Sequence, residues 1–388
     1  MTALTTPPAA GTAPAGPPTG KASAPKERVP FWDNARFLCV ALVVIGHGVQ
    51  RLTSDSDNAL IVYLFIYAFH MPAFAIISGY FSKPGAPNAR QMTKVITDII
   101  VPYVIMESIW TFVQFVAEGK KEFNPTQPSW TLWFLLALGI FRLILPYLAL
   151  LKFPLLIAVV CSVGVGYFAN VDSTFSLSRA IGILPFFVLG WKAKEWGIVD
   201  RWRRVVTHRW LVRGIAVAVL VAWLVVVVTN IRVWREIDLR YWFFYDDSYS
   251  GLGEDLWWAG LVRLGLIVLA VVLTAAFFVL IPRGETWITE FGTSTMYVYL
   301  LHSFILYPLR ETGVLQDEHA SAVWLLSMIL ACIAISIALS SPLVRRIFHP
   351  IIEPKPRWLF AKQTALTGKD GGPVRETRTD PTGSRRSR

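Results

Sequence analysis

The stretch FWDNARFLCVALVVIGHGVQRL, residues 31–52, decides how the rest of the chain reads. It is a largely apolar segment that holds Arg36 and His47, eleven positions apart. Eleven residues are about three helical turns, so both side chains fall on nearly one face, ~16 Å apart along the axis. Ionisable groups inside a membrane segment are costly and mark a functional site by default.

Working outward, the composition says membrane. Of 388 residues, 54% are hydrophobic and only 16% charged, against roughly 25% charged in soluble domains. The mean hydropathy is +0.49. A net charge of +11 suggests nucleic acid at first, but Lys and Arg gather in short loops and in the two tails. That pattern fits membrane topology and anionic lipid, so no nucleic-acid partner is expected. Cys39, Cys161 and Cys332 stand singly in apolar segments, which reads as small core residues with no disulfide and no metal.

Ten apolar segments follow one another, at about 34–52, 58–82, 94–117, 129–149, 153–170, 177–195, 210–230, 256–281, 286–309 and 320–344. The expected fold is all-α: an integral membrane bundle of about ten transmembrane helices. The sixth segment is interrupted by Gly182, Pro185 and Gly190. Lys192, Lys194, Arg201, Arg203, Arg204 and Arg209 follow it, Lys83, Arg90 and Lys94 follow the second, and Arg345 and Arg346 follow the tenth. The positive-inside rule places these loops, and both termini, in the cytoplasm. Residues 1–27 read as a disordered cytoplasmic tail without a signal peptide, 28–348 as the membrane domain and 349–388 as a largely disordered cytoplasmic tail. The aromatic, mixed-charge segment 230–255 is expected outside, on the membrane surface as a lid.

Rise per residue then assigns depths. Arg36 and Arg142 fall near the cytoplasmic side. His47, His70, Glu107 and His302 fall from the middle to the outer half, and Arg263 and Arg179 lie toward the outside. Cations on the inside suit a phosphorylated compound, and imidazoles deeper in suit proton chemistry near pH 7. A long ligand with an anionic head, such as an acyl-coenzyme A, spans the two levels. Packing alternatives stand beside each assignment. His47 can be a buried histidine on a backbone carbonyl, Arg36 can pair with Asp33 or snorkel, and His70 can bond at a kink before Pro72. Glu107 and His302 can be structural, and Arg142 can snorkel. His208, His319 and His349 are given no role.

The chain resembles the acyltransferase 3 superfamily of multipass membrane proteins and, within it, the group named for fucose 4-O-acetylase. The resemblance rests on FWDNARFLCVALVVIGH (31–47), FIYAFHMPAFAIISGYFSKP (65–84), VPYVI (101–105), WTLWFLLALGIFRLILP (130–146), ILPFFVLGW (183–191) and GTSTMYVYLLH (292–302). The Arg-x10-His pair matches the superfamily signature. The resemblance implies transfer of an acetyl or similar acyl group from cytoplasmic acyl-CoA to a hydroxyl, usually of a carbohydrate. It implies that His47 is catalytic and that Arg36 helps bind the donor. His70, a Ser78-Gly79 turn, Trp133 and His302 also match family positions. Arg90 and Lys94 are the nearest cations to a paired-arginine element that some members carry. No soluble hydrolase-like domain follows the membrane part, so direct hand-over to the acceptor or to a separate partner is expected.

The sequence thus leads to a cell-membrane O-acyltransferase that binds no cofactor, uses acetyl-CoA or another acyl-CoA as co-substrate, and has a carbohydrate or glycolipid acceptor. His47, His70 and Glu107 are the catalytic candidates, Arg36 and Arg142 the donor contacts, and His302, Trp133 and Arg263 the acceptor contacts. The competing reading is a proton-coupled transporter or exporter of a glycan or lipid-linked sugar, since intramembrane His and Glu also serve proton relays. Against it, two matching halves with paired broken helices are lacking.

Overall fold

The computed structural model describes residues 28–85, 88–119, 123–204, 209–311 and 321–360. Among these, all regular structure is helical: α1 Pro30–Val49, α2 Asp57–Tyr67, α3 His70–Phe81, α4 Ala89–Val95, α5 Val101–Glu118, α6 Trp133–Leu148, α7 Pro154–Val165, α8 Leu177–Glu195, α9 Ile198–Arg204, α10 Arg209–Thr229, α11 Ile231–Glu236, α12 Leu239–Trp242, α13 Ala259–Leu280, α14 Thr295–Glu311, α15 Ala322–Leu339 and α16 Pro342–Ile352. Among the described residues, seven helical stretches are long and apolar enough to cross a membrane. Each of the ten expected segments is mainly helical, but α6 has 16 residues, α7 12 and α14 17. The ninth begins later than expected, because residues 290–294 form a tighter 3-10 turn ahead of α14. At the C-terminal side α16 runs past position 348, with Ile352 buried, so ordered structure continues into the expected tail. Residues 1–27 and 361–388, with His208 and His319, lie outside the described residues.

Helix α1 is the axis of the bundle. It packs against α2, α3, α14 and α15, and most of its residues are buried, including Asp33 and Asn34. Asn34 donates to the carbonyls of Pro282 and Gly284, both at 3.0 Å, and accepts from the hydroxyls of Thr286 and Thr289 at 3.1 and 2.7 Å. That pins the start of α1 to the segment after α13.

The second segment breaks in two between α2 and α3. Pro72 has no N–H, and its ring clashes with a helical carbonyl at position 68. The chain therefore leaves the helix at Phe69 (φ −143°, ψ −16°) and restarts at His70. The expected Ser78-Gly79 turn is instead the interior of α3. A Cβ on Gly79 would stand 1.9 Å from the Phe187 carbonyl oxygen, and one on Gly190 2.0 Å from that of Ile76. These glycines let α3 and α8 pack backbone to backbone. The residues that interrupted the sixth segment on paper are thus what packs it, and α8 is continuous.

Two other expectations change. Cys161 is exposed on α7, whereas Cys39 and Cys332 are buried, and all three are unbonded. Segment 230–255 does more than lie on a surface: Trp242, Phe243, Tyr245 and Tyr249 are buried, while Val233, Ile237 and Tyr241 stay exposed.

Candidate active site

Beyond the midpoint of α1 lies a cavity of about 350 Å³, within the lower range of small-molecule sites, roughly 300–1,000 Å³. His47, Gln50, Tyr67, His70 and Met71 contribute from the first two segments. Gln127, Trp130 and Trp133 come from the stretch before α6 and its first turn, and Ser173, Ser176 and Arg179 from the start of α8. Phe243, Phe244 and Asp246 come from the segment after α12. Stretches between helices thus supply much of the wall of this cavity.

Rings connect the histidines. His47 lies 5.5 Å from His302, 5.4 Å from Trp130 and 6.4 Å from Tyr67, measured between centroids, and Tyr67 lies 4.6 Å from His70. The hydrogen bonds settle two tautomers. His70 Nδ1 meets the Ile66 carbonyl at 3.0 Å, and His302 Nδ1 meets that of Val298 at 2.9 Å. A carbonyl only accepts, so each Nδ1 carries the proton and each Nε2 presents a lone pair. The Nε2 of His302 and the Nδ1 of His47 are buried and have no protein partner. Buried polar atoms are normally paired, and orphans of this kind need a reason.

The opposite wall is held by charge. Arg179 pairs with Asp246 at 2.6 Å and lies 4.9 Å over the Trp133 ring and 5.5 Å from that of Phe244. Ser178 also donates to Asp246. Ser176 lines the cavity with a buried, unpartnered hydroxyl. Trp130 (φ 36°), Phe175 (φ 51°), Ser176 (φ 59°) and Tyr245 (φ 56°) hold left-handed backbone conformations in these same wall segments. Such residues store roughly 1–3 kcal/mol each and cluster where geometry serves function.

The other candidates lie elsewhere. Glu107 does not line the cavity, since its carboxylate accepts from the Ser129 amide at 2.9 Å and the Ser129 hydroxyl at 2.6 Å. It anchors the turn that carries Trp130. Arg142 is exposed on α6, away from the cavity, because its helical position turns it outward. Arg263 is fully buried but outside the cavity. Its guanidinium donates to the carbonyls of Asp247 at 3.0 Å and Ser162 at 3.4 Å, and it stacks on Tyr249. Arg36 sits at the far end of α1, one-third exposed, bonded to Asp33 at 2.9 Å and 4.4 Å from the Phe81 ring centroid.

Sequence reasoning missed Arg179, Asp246, Trp130, Gln50, Gln127 and Ser176 as wall residues. For Arg179 a signal existed, since it starts an apolar segment at the depth of His47. No group of three His, Cys, Asp or Glu stands together as candidate metal ligands among the described residues.

Comparison with known proteins agrees with this architecture. A family model described as an acyltransferase domain matches residues 29–341. No curated protein and no solved structure matches the chain.

Proposed function

The chain belongs to the acyltransferase 3 family of membrane proteins, and from that premise we propose that it moves an acetyl or similar acyl group from acyl-CoA to a hydroxyl of a carbohydrate or glycolipid. The observation that carries this reading is the company His47 keeps. The Trp130 and Trp133 side chains bring aromatic surface to the cavity, while Gln50, Gln127, Ser176, Arg179 and Asp246 supply donors and acceptors. Aromatic faces beside convergent polar groups suit a sugar ring, which is apolar on its C–H face and polar at its rim.

In this mechanism His47 takes the proton of an acceptor hydroxyl through Nε2. The freed oxygen attacks the thioester carbonyl, the C–S bond breaks, and the CoA thiolate leaves and receives the proton that His47 took, which returns the imidazole to its neutral form. The His302 ring, its Nε2 unpartnered, stands 5.5 Å from the ring that becomes imidazolium, measured between centroids, and the Ile66-bonded His70 adds to the polar floor. The donor's phosphates bind at the opposite end of α1, where Arg36 is accessible, and the pantetheine arm covers the ~16 Å between. The acceptor enters between the outer loops. The enzyme works in the cell membrane, and acyl-CoA is a co-substrate, not a resident cofactor.

Proton-coupled transport keeps one supporting observation, the break in the second segment beside His70. CoA-dependent product formation by detergent-solubilised protein separates the two, since a transporter makes no product without a membrane. In that assay Arg36→Ala is expected to raise KM for acetyl-CoA about tenfold with kcat little changed. An unchanged KM removes Arg36 from the donor site.

A further inference from the structure

At the Arg36 end of the bundle lies a cluster of like charge that the acyl-transfer reading does not use. Arg203 falls in α9, Arg209 and Arg213 lie in the first two turns of α10, and Arg283 lies just past the end of α13. Helices α10 and α13 pack together. Arg283 donates to the Arg203 carbonyl at 3.2 Å and lies 4.3 Å over the Trp202 ring. Arg209 and Arg213 flank the exposed Trp210 ring at 5.4 and 5.6 Å. Burial, then the charges of Arg213, Arg203 and Arg209, push the Arg283 guanidinium below its ordinary value, which follows from such crowding. Asp200 stands beside the cluster: it is 3.8 Å from Arg203 and also accepts from Tyr80 at 3.2 Å. The Nε of Arg203 and the indole N–H of Trp202 are buried with no protein partner. Next to the cluster, α10 buries only Ala216, Trp223 and Val227 and exposes Leu211, Val212, Ile215 and Val217.

We propose that Arg203, Arg209, Arg213 and Arg283 bind the headgroup phosphate of an anionic phospholipid whose acyl chains lie along the exposed face of α10. Guanidinium groups bond phosphate oxygens in pairs, and the exposed apolar stripe leading away from the cluster suits acyl chains. A zwitterionic lipid offers the same phosphate, but its own cation is repelled by the cluster, so the site selects for net negative charge. Free phosphate and the phosphates of CoA share the anionic chemistry but gain nothing from the apolar stripe. The inference is independent of the acyl-transfer reading.

The test is native mass spectrometry of the full-length protein in micelles containing equal phosphatidylglycerol and phosphatidylcholine. The wild type is expected to retain phosphatidylglycerol over phosphatidylcholine by about tenfold, and the triple variant Arg203→Gln, Arg213→Gln, Arg283→Gln to fall to near parity. Should the triple variant fail to fold, the single change Arg209→Gln, at an exposed position, is expected to cut the preference about threefold. Equal retention of both lipids by the wild type, or an unchanged preference in the folded variant, overturns the proposal. So does displacement of the lipid by equimolar inorganic phosphate, which marks a free-phosphate site. Displacement by equimolar CoA overturns it in favour of the donor.

Discussion

The two ends of α1 hold similar polar content and do opposite things with it. At the start of the helix, Asn34 uses its amide in four bonds and Arg36 is paired with Asp33. At its far end, His47 keeps an unpartnered Nδ1, His302 behind it an unpartnered Nε2, and Ser176 across the cavity an unpartnered hydroxyl. The first pattern, at Asn34, is scaffold: a buried polar group saturated by the chain itself, while the neighbouring Arg36 stays one-third exposed. The second is a site, since polar groups left unpaired at a cavity remain available to a ligand. A related contrast separates two arginines, Arg263 fully buried and Arg179 half-buried. Arg263 spends its guanidinium on backbone carbonyls, whereas Arg179 lines the cavity beside Trp133.

The strongest way to break this comparison is His47→Ala. It is expected to lower acyl transfer about 10²–10⁴-fold with the protein still folded in the membrane, and an active variant would end the assignment of the far end as the reacting site. Arg179→Gln comes next, with an expected fall of about 10–100-fold in kcat/KM, mostly through KM for the acceptor. If acceptor saturation kinetics are unchanged and only Tm drops, Arg179 joins Arg263 as scaffold. Glu107→Gln keeps one bond to Ser129 and is expected to cost less than about tenfold in activity, with a loss of about 1 kcal/mol in stability. A loss as deep as that of His47→Ala would move Glu107 among the reacting groups.

The smallest effect concerns Asp247, beside the Arg179–Asp246 pair. Asp247 is exposed, but partial desolvation, then the Asp246 charge, raises its carboxyl above the ordinary value, while Arg179 and Arg263 pull it back. A raised acid holds its proton more readily folded than unfolded. Protonation therefore favours the fold, and stability declines as pH rises out of the ordinary carboxylate range. Asp247→Asn is expected to raise Tm slightly at pH 7 and to leave it unchanged at pH 3, as read by thermal denaturation in detergent. A lower Tm at pH 7 would show that the carboxylate is a needed partner.

Some of the site was legible because it follows from local rules. The Arg36–His47 spacing is a property of one helix, and the Pro72 break beside His70 is a property of one ring. Trp133 and His302 were named through the family pattern. Neither Arg142 nor Arg263 lines the cavity: depth along a helix can be counted from sequence, while the direction around its axis depends on which neighbour packs there. Arg142 is exposed on the outside of α6, and Arg263 turned into a backbone cage. Glu107 was placed at the right level, yet it reaches the cavity only through Ser129 and the turn of Trp130.

By itself the sequence determined that the chain is an all-helical membrane protein and that α1 carries a cation and an imidazole on one face. Hydropathy and helical period are local quantities, and each residue reports them without its partners. The tertiary structure decided which polar groups are spent on the fold and which remain for chemistry. It brought Arg179 and Asp246, 67 positions apart in the chain, to 2.6 Å beside His47. It also pulled segment 230–255 inward as a wall. Both outcomes depend on desolvation and pairing between distant segments, and those energies arise only once the helices have packed.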